Sequence, residues 1–146
     1  MKINDYFINM ARATSERSSC YRAKVGCVLT TRSGFVISTG YNGTPSGVLN
    51  CNKGGCIRCN STSITPGDYE GCICVHAEQN AIAIAARLGS VTSDTIAYTT
   101  IIPCLKCLIL LRQAGVFNIV HSKDGVERVF DEQYSLMLRY FMVVEV

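Results

Sequence analysis

Two short segments in the middle of the chain constrain its fold more than any other feature. The first has the sequence Cys-Val-His-Ala-Glu-Gln-Asn over residues 74–80, and the second has Pro-Cys-Leu-Lys-Cys over residues 103–107. His76, Cys104 and Cys107 together offer one imidazole and two thiolates, a ligand set typical of zinc sites. The fold must therefore bring two distant parts of the chain together around one metal ion.

The spacing within each segment predicts how the chain arranges these ligands. Residues two apart in a regular helix point in different directions, so His76 and Glu78 can face one site only in the irregular first turn of a helix. Cys104 and Cys107 are three apart and share one face at the start of their own helix. A helix N-terminus favours the thiolate form of cysteine. We therefore expect two helix N-termini to converge on the metal.

The carboxylate of Glu78 distinguishes a catalytic site from a structural one. A structural zinc normally has four protein ligands, whereas a catalytic zinc keeps a position for water, and other cysteines here could supply a fourth ligand. The glutamate two residues after His76 and the proline before Cys104 match the signature of the zinc nucleobase deaminases. We interpret Glu78 as the residue that moves protons between water and a ring nitrogen. The alternative is that Glu78 has no catalytic role and is a carboxylate that complements the helix dipole.

Composition limits the classes of partner. The chain has 146 residues, 48% of them hydrophobic and 17% charged, which is enough for one domain with one core. Its net charge of +3 is too small for a surface that coats nucleic acid, although it suits an anionic small molecule. No apolar run is long enough to span a membrane, so a membrane is not an expected partner. Because the net charge is small, nucleic acid is not an expected partner either.

The N-terminal residues predict the compartment, and the compartment in turn favours one role for the cysteines. The N-terminal residues lack the apolar core of a signal peptide, so we expect a cytoplasmic location. Nine cysteines in such a chain are better explained as metal ligands than as disulfides.

Periodicity predicts the order α-β-β-loop-α-β-α-β-α-β, which implies an α/β fold with a mixed sheet flanked by helices. Helices are expected at about residues 5–17, 76–88, 103–115 and 126–138, and strands at 25–31, 35–39, 95–100, 117–121 and 140–144. Asn4 or Asp5 is expected to cap the first helix, and Pro103 to occupy the start of the third. The second helix is apolar nearly all round and ends at Gly89, so we expect it to be buried centrally.

The long segment at residues 46–72 is rich in Gly, Asn, Ser and Pro and has no periodicity, so it needs a reason to be ordered. Cysteines offer one. Six remain besides the catalytic pair and Cys27, which is expected to be a small buried residue in its strand: Cys20, Cys51, Cys56, Cys59, Cys72 and Cys74. Cys56-x-x-Cys59 has zinc-knuckle spacing, and Cys72-x-Cys74 could complete a tetrahedral site.

Residues 18–121 resemble the deoxycytidylate (dCMP) deaminases of the cytidine deaminase superfamily. The resemblance rests on residues 19–28, on Gly-Tyr-Asn-Gly-Thr-Pro at residues 40–45, and on the zinc motif. The cysteines at residues 51, 54–60 and 72–74 look like those of eukaryotic-type and viral-type members. The resemblance implies a three-layer α/β/α fold with a five-stranded mixed sheet, a homohexamer, and zinc-dependent hydrolysis of dCMP to dUMP and ammonia. It also implies that the product supplies dTMP synthesis, with dCTP as activator and dTTP as inhibitor.

The resemblance also implies roles for particular residues. Lys24 would contact the substrate phosphate or the pocket, Asn42 the deoxyribose, and the backbone N–H of Ala77 the base. Tyr41 and Gly43, which flank Asn42, would help to hold a regulatory nucleotide.

A regulatory role for Arg87 is likewise implied by the resemblance. The alternative is that Arg87 has no regulatory role and is a cation that complements the dipole at a helix C-terminus.

For the second zinc, the resemblance points to Cys20 and Cys51 with Cys74, in contrast to the ligand set that the knuckle spacing of Cys56 and Cys59 suggests. Four ligands are expected from the following five: Cys20, Cys51, Cys56, Cys59 and Cys74. Such a site would pin the long loop beside the active centre.

Three alternative functions remain open. A bifunctional enzyme would accept dCTP as well as dCMP. A deaminase of bases in nucleic acid would need a basic channel, and the loop at residues 40–45 argues against it. A zinc-stabilised module could bind nucleotides without turning them over, and substitution of Glu78 by Gln would separate it from an enzyme.

Overall fold

A computed structural model describes residues 1–62, 70–125, 128 and 130–146. The helices are α1 (Ile3–Ser15), α2 (Ala77–Arg87), α3 (Leu105–Gln113) and α4 (Glu132–Leu138). The strands are β1 (Gly26–Thr30), β2 (Val36–Tyr41), β3 (Ile96–Thr99), β4 (Asn118–His121) and β5 (Met142–Glu145), and a 3-10 helix covers Cys51–Lys53. The predicted order of elements is confirmed. Within the described part, no helix has the length and apolar character needed to cross a lipid bilayer.

The five strands form one mixed sheet in the order β2-β1-β3-β4-β5. β1 is antiparallel to both β2 and β3, whereas β3, β4 and β5 run parallel to one another. All five residues of β1 are buried, because this strand has neighbours on both sides and helices on both faces. The predicted hairpin of β1 and β2 is confirmed, with a bulge between Leu29 and Thr30.

Helices cover both faces of the sheet. On one face, α1 places Phe7, Ile8 and Ala11 against side chains from β1, β3 and β4. On the other face, α2, α3 and α4 pack over Cys27 and Leu29. The three-layer α/β/α fold with a five-stranded sheet is therefore confirmed.

Several predicted helix boundaries are wrong. α1 begins at Ile3, and Lys2 rather than Asn4 or Asp5 occupies the N-cap position without a side-chain hydrogen bond. Asp5 instead lies within the first turn, where a carboxylate complements the helix dipole. Pro103 precedes the N-cap residue Cys104 rather than starting α3.

The fourth helix begins later than predicted. Residues 128 and 130 are not helical, and the predicted start at Val126 lies outside the described residues. Asp131 caps α4 because its carboxylate accepts a hydrogen bond of 2.8 Å from the Tyr134 N–H. This capping side chain marks the start better than the hydrophobic pattern did.

α2 is not buried on all sides, contrary to the prediction. Its buried alanines, Ala77, Ala81 and Ala85, recur every fourth position and face the sheet, whereas Ala83 and Ala86 are exposed. The helix belongs to an outer layer of the fold, so only one of its faces meets the core.

Gly40 lets α2 lie directly on the backbone of β2. A Cβ atom at this glycine would lie 2.2 Å from the Ala77 carbonyl oxygen and 2.4 Å from the Ala81 backbone nitrogen. On the same strand, the Ser38 hydroxyl donates a 2.8 Å hydrogen bond to the Ala81 carbonyl. These contacts fix the N-terminal half of α2 against the sheet.

Candidate active site

His76, Cys104 and Cys107 lie together at the N-termini of α2 and α3. The Nδ1 atom of His76 is 3.5 Å from the Cys104 sulfur and 3.4 Å from the Cys107 sulfur. Ligands bound tetrahedrally at ordinary Zn–S and Zn–N bond lengths would lie about 3.6 Å apart. The imidazole nitrogen therefore already has zinc-ligand spacing from both sulfurs, and all three atoms lie within 4.8 Å of one another.

The backbone at the start of α2 explains how His76 and Glu78 face one site. His76 is the N-cap residue and has extended dihedral angles of φ −72° and ψ 158°. Its backbone N–H donates a 2.8 Å hydrogen bond to the Gln79 side chain. The helix begins only at Ala77, so the two-residue spacing spans a change of backbone conformation, as expected from the sequence.

The ligand side chains carry perturbed acidities. Hydrogen bonding from Cys107 lowers the pKa of Cys104 to about 4 against the opposing effect of burial. Hydrogen bonding to Cys104, reinforced by burial, raises the pKa of Cys107 well above its usual range. A hydrogen bond to Cys104 raises the pKa of His76. The protein therefore favours a thiolate at Cys104, which is the form that binds metal.

Glu78 is buried beside these ligands, with 3% of its surface exposed. Burial raises the pKa of its carboxyl group, and the thiol of Cys107 lies within hydrogen-bonding reach. A carboxyl group whose pKa is raised by burial holds a proton more readily, which suits the transfer of protons in both directions. The donor set fits zinc, which when bound supplies water of lowered pKa as a nucleophile.

A cavity of about 380 Å³ opens onto this site. Cys20, Cys59, Cys72 and Cys74 line it together with His76, Glu78 and three arginines that no sequence motif had indicated. The arginines are Arg22, Arg58 and Arg128. They form the positively charged part of the cavity wall, whereas Glu78 contributes a buried carboxyl group.

Two of these arginines are held by backbone carbonyls. Arg22 donates through Nε to the Cys59 carbonyl at 2.8 Å and through a terminal nitrogen to the Ser61 carbonyl at 2.6 Å. Arg128 donates through Nε to the Ile102 carbonyl at 2.7 Å. Their guanidinium groups are therefore oriented by the loops that surround the cavity.

Lys24 lies elsewhere. Its ammonium group forms an exposed 3.0 Å ion pair with Glu16, and Lys24 is not among the residues that line the cavity. Its phosphate contact stays a prediction, and Arg22, two residues earlier, is better placed for it. Nothing in the sequence pattern told the two cations apart, because the segment that carries them has no regular secondary structure.

Asn42 lines the cavity, but protein groups already use most of its amide. Its Oδ1 accepts hydrogen bonds from the Ser18 hydroxyl at 2.7 Å and from the Val25 N–H at 2.8 Å. Its Nδ2 donates to the Ala23 carbonyl at 2.8 Å, which leaves one N–H for another partner. Any contact with a sugar would therefore use that remaining hydrogen.

Ala77 is fully buried in the cavity wall at the first position of α2. A backbone N–H at this position has no acceptor within its own helix. It is consequently a suitable donor to a polar atom of a bound base.

The loop after β2 is fastened to α2. Gly43 and Val75 form a two-way backbone bridge, with N···O distances of 3.2 and 2.8 Å. The Asn80 side chain donates to the Tyr41 carbonyl at 2.6 Å. Tyr41 and Gly43 thus help to position the segment that leads into His76. Their regulatory role stays a prediction, as does that of Arg87, which is exposed in the last turn of α2.

The remaining six cysteines form a second sulfur cluster. They lie beside the cavity, and four of them are buried. Their sulfur atoms fall into two overlapping groups of four, and within each group all atoms lie within 4.8 Å of one another. One group is Cys20, Cys51, Cys59 and Cys74, and the other is Cys56, Cys59, Cys72 and Cys74. The geometry therefore accommodates both ligand sets that the sequence had suggested, and it includes Cys72, which the preferred set of five omitted.

Comparisons with known proteins agree with this site. The family model for the cytidine and deoxycytidylate deaminase zinc-binding region matches residues 1–123. The deoxycytidylate deaminase of Schizosaccharomyces pombe is 45% identical over 118 residues, which are 81% of this chain and 36% of that protein. The deoxycytidylate deaminase of Mycobacterium phage D29 is 35% identical over 128 residues, which are 84% of this chain and 95% of that protein.

A solved structure of a dCMP deaminase also matches this chain. The crystal structure of dCMP deaminase from the cyanophage S-TIM5, in complex with dCMP and dUMP, matches with a TM-score of 0.77 and 28% identity over 100% of this chain and 99% of that one. The chain spans only 36% of the length of the relative from Schizosaccharomyces pombe and 41% of the deoxycytidylate deaminase of Saccharomyces cerevisiae. Because the family model matches residues 1–123, which include His76, Cys104 and Cys107, the chain belongs to the cytidine and deoxycytidylate deaminase zinc-binding family.

Proposed function

We propose that this chain catalyses the hydrolytic deamination of dCMP to dUMP and ammonia. One observation carries the proposal: the wall of one cavity holds the buried carboxyl group of Glu78, the imidazole of the zinc-type ligand triad at His76, and three arginines. This cavity combines hydrolytic chemistry with cations for a phosphate. The similarity to a deaminase structure that holds dCMP and dUMP supports the choice of substrate.

Glu78 is the proton carrier in this proposal. It accepts one proton from the water that adds to C4 of the cytosine ring and gives it to the ring nitrogen N3. It then accepts the second proton from the resulting C4 hydroxyl and gives it to the departing amino group. The bond between C4 and the amino nitrogen breaks, ammonia leaves, and the former water oxygen becomes the carbonyl of uracil. The N–H of Ala77 holds the base in place.

The arginines supply recognition of the phosphate. A guanidinium group offers several N–H donors in a planar fork, which matches phosphate oxygens. Arg22 and Arg128 are each already oriented by a carbonyl, so little side-chain freedom is lost when substrate binds. Three cations could also accommodate additional phosphates, which keeps a dual activity on dCMP and dCTP as the second candidate.

The first test is ammonia release by zinc-replete protein offered dCMP, dCTP, deoxycytidine and a cytosine oligonucleotide in parallel. We expect turnover of dCMP, with deoxycytidine much poorer because it lacks the phosphate. Turnover of dCTP as well would establish the dual activity. Turnover of the oligonucleotide alone would overturn the proposal.

Substitution of Glu78 by Gln separates an enzyme from a binding module. The change keeps the shape of the side chain but removes its ability to accept a proton, so we expect kcat to fall by about 10² to 10⁴. Zinc content and dCMP binding should stay near those of the unsubstituted protein. Glu16→Gln is the control, because Glu16 is an exposed carboxylate paired with Lys24. Equal turnover in Glu78→Gln and Glu16→Gln would refute the role of Glu78.

The resemblance supports further proposals about regulation and assembly. We infer activation by dCTP, inhibition by dTTP through the segment of Tyr41 and Gly43 with Arg87, assembly into a homohexamer, and a place in the supply of dUMP for dTMP synthesis. None of the nine cysteines, all of which lie among the described residues, forms a disulfide, which suits the reducing cytoplasm. Addition of dTTP to the ammonia assay tests inhibition, and light scattering tests the assembly.

A further inference from the structure

The second sulfur cluster contains more thiols than one zinc ion can bind. Its two groups of four share Cys59 and Cys74, and each group also has two cysteines of its own. A tetrahedral zinc takes four ligands, so a single ion would leave two of the six thiols unused beside it. Two tetrahedra that share an edge, in contrast, use six sulfurs with none left over.

We propose that the six cysteines bind two zinc ions as a binuclear thiolate cluster, with the sulfurs of Cys59 and Cys74 bridging the ions. Cys20 and Cys51 are the terminal ligands of one ion. Cys56 and Cys72 are the terminal ligands of the other. With the ion at His76, the chain then binds three zinc ions.

Three distances between sulfur atoms fit the tetrahedron of Cys56, Cys59, Cys72 and Cys74, and the sulfurs of the other group all lie within 4.8 Å of one another. Sulfurs on one tetrahedral zinc at the usual bond length lie about 3.8 Å apart. The Sγ–Sγ distances are 3.7 Å between Cys59 and Cys72, 3.8 Å between Cys56 and Cys72, and 3.9 Å between Cys59 and Cys74. The distance between the two proposed bridging sulfurs thus matches the shared edge of two tetrahedra.

The backbone around the cluster is built for the terminal ligands as well. The Tyr21 N–H donates to the Cys51 sulfur at 3.3 Å, a contact that stabilises a thiolate. The Asn60 side chain donates to the carbonyls of Cys51 and Cys56 at 2.9 and 2.8 Å. One amide therefore ties the loop of the first ion to the loop of the second.

The cluster also has a consequence for the cavity. Arg22 is oriented by the carbonyl of the bridging Cys59, and Cys74 lies two residues before the zinc ligand His76. The loop has few apolar residues to form a core, so metal binding supplies folding free energy that its composition lacks. Both bridging residues thus connect the cluster to the walls of the active-site cavity.

Zinc content is the first test, measured by mass spectrometry on gel-filtered protein. We expect three zinc ions per chain in the unsubstituted protein and two in Cys20→Ser and in Cys72→Ser, because each variant removes a terminal ligand of a different ion. Cys27→Ala is the matched control, since Cys27 is buried in β1 outside both sulfur groups, and it should keep three ions. Two ions in the unsubstituted protein, with Cys20→Ser or Cys72→Ser unchanged at two, would overturn the proposal.

The bridging assignment has its own test, which does not depend on turnover. Replacement of zinc by ¹¹³Cd should give two NMR signals from the cluster, each split by coupling to the other cadmium through the shared sulfurs. A Cys59→Ser variant should alter both signals, whereas Cys56→Ser should remove mainly one. Two uncoupled signals, or one signal, would overturn the bridged arrangement. These outcomes concern metal binding alone, so they are independent of whether dCMP is the substrate.

Discussion

Substitution of Gly40 by Ala should weaken both the fold and the proposed catalysis. The added methyl group would meet the first turn of α2, which carries His76, Ala77 and Glu78. Its nearest neighbours are backbone atoms of Ala77 and Ala81, which cannot rotate away as a side chain could.

The size of the effect follows from the contact distance. An ordinary contact needs at least 3.4 Å, whereas the new Cβ would lie 2.2 Å from the Ala77 carbonyl oxygen, so helix and strand must separate by about 1.2 Å. Overpacking of this kind costs about 1–3 kcal/mol of unfolding free energy. Misplacement of catalytic groups by about 1 Å can reduce the rate by about 10²-fold.

Ser38→Ala is the matched control on the same strand. It removes the hydrogen bond to the Ala81 carbonyl without adding bulk, so we expect a loss of about 1 kcal/mol and little change in kcat. Denaturant unfolding and dCMP turnover would be measured for both variants. Unfolding free energy and kcat in Gly40→Ala equal to those of the unsubstituted protein would show that α2 does not depend on this close approach.

Three further predictions test the phosphate site, a buried tyrosine and the core. Arg22→Ala should raise the KM for dCMP about 10-fold while Lys24→Ala changes it less than about 2-fold, and the reverse order in steady-state kinetics would restore Lys24 as the phosphate ligand. Burial raises the pKa of Tyr134 to about 12, and its protonated hydroxyl donates a 2.6 Å hydrogen bond to the Pro103 carbonyl. The stability that this hydroxyl contributes is therefore present below about pH 10 and is lost as pH rises to about 12. The difference in unfolding free energy between the unsubstituted protein and Tyr134→Phe should therefore shrink over that range, and a constant difference would contradict it. Phe7→Ala should cost about 3–5 kcal/mol in denaturant unfolding, and a loss below 1 kcal/mol would mean that α1 contributes little to the core.

The parts of the fold that the sequence predicted are those with strong local signals. β1 is a run of apolar and β-branched residues and could be assigned because a central strand is buried on both faces. The end of α2 was predicted from Gly89, whose φ of 69° suits a residue without a side chain. The exposed face of α2 was missed because alanine is compatible with either environment.

The arginines of the cavity could not be predicted for a different reason. Arg22 and Arg58 lie in segments without helical or strand periodicity, and Arg22 is directed by the carbonyls of Cys59 and Ser61, which are distant in sequence. Arg128 lies well after Cys107 in sequence and reaches the cavity only through the segment that precedes α4. Lys24, which directly precedes Val25 and Gly26, was therefore assigned from the family resemblance alone, without the cations that tertiary structure brings together.

The N-terminus of α2 is where the separate features of this chain meet. Gly40 sets its distance from the sheet, and the bridge between Gly43 and Val75 fixes the residue before His76. Cys74, one residue further back, belongs to the second sulfur cluster. A backbone held on three sides loses little freedom when substrate binds, and such preorganisation is what proton transfer by Glu78 requires. In the proposed arrangement, metal binding at the cysteines of the irregular loop would order the segment on which His76 depends, so the loop would support the catalytic turn.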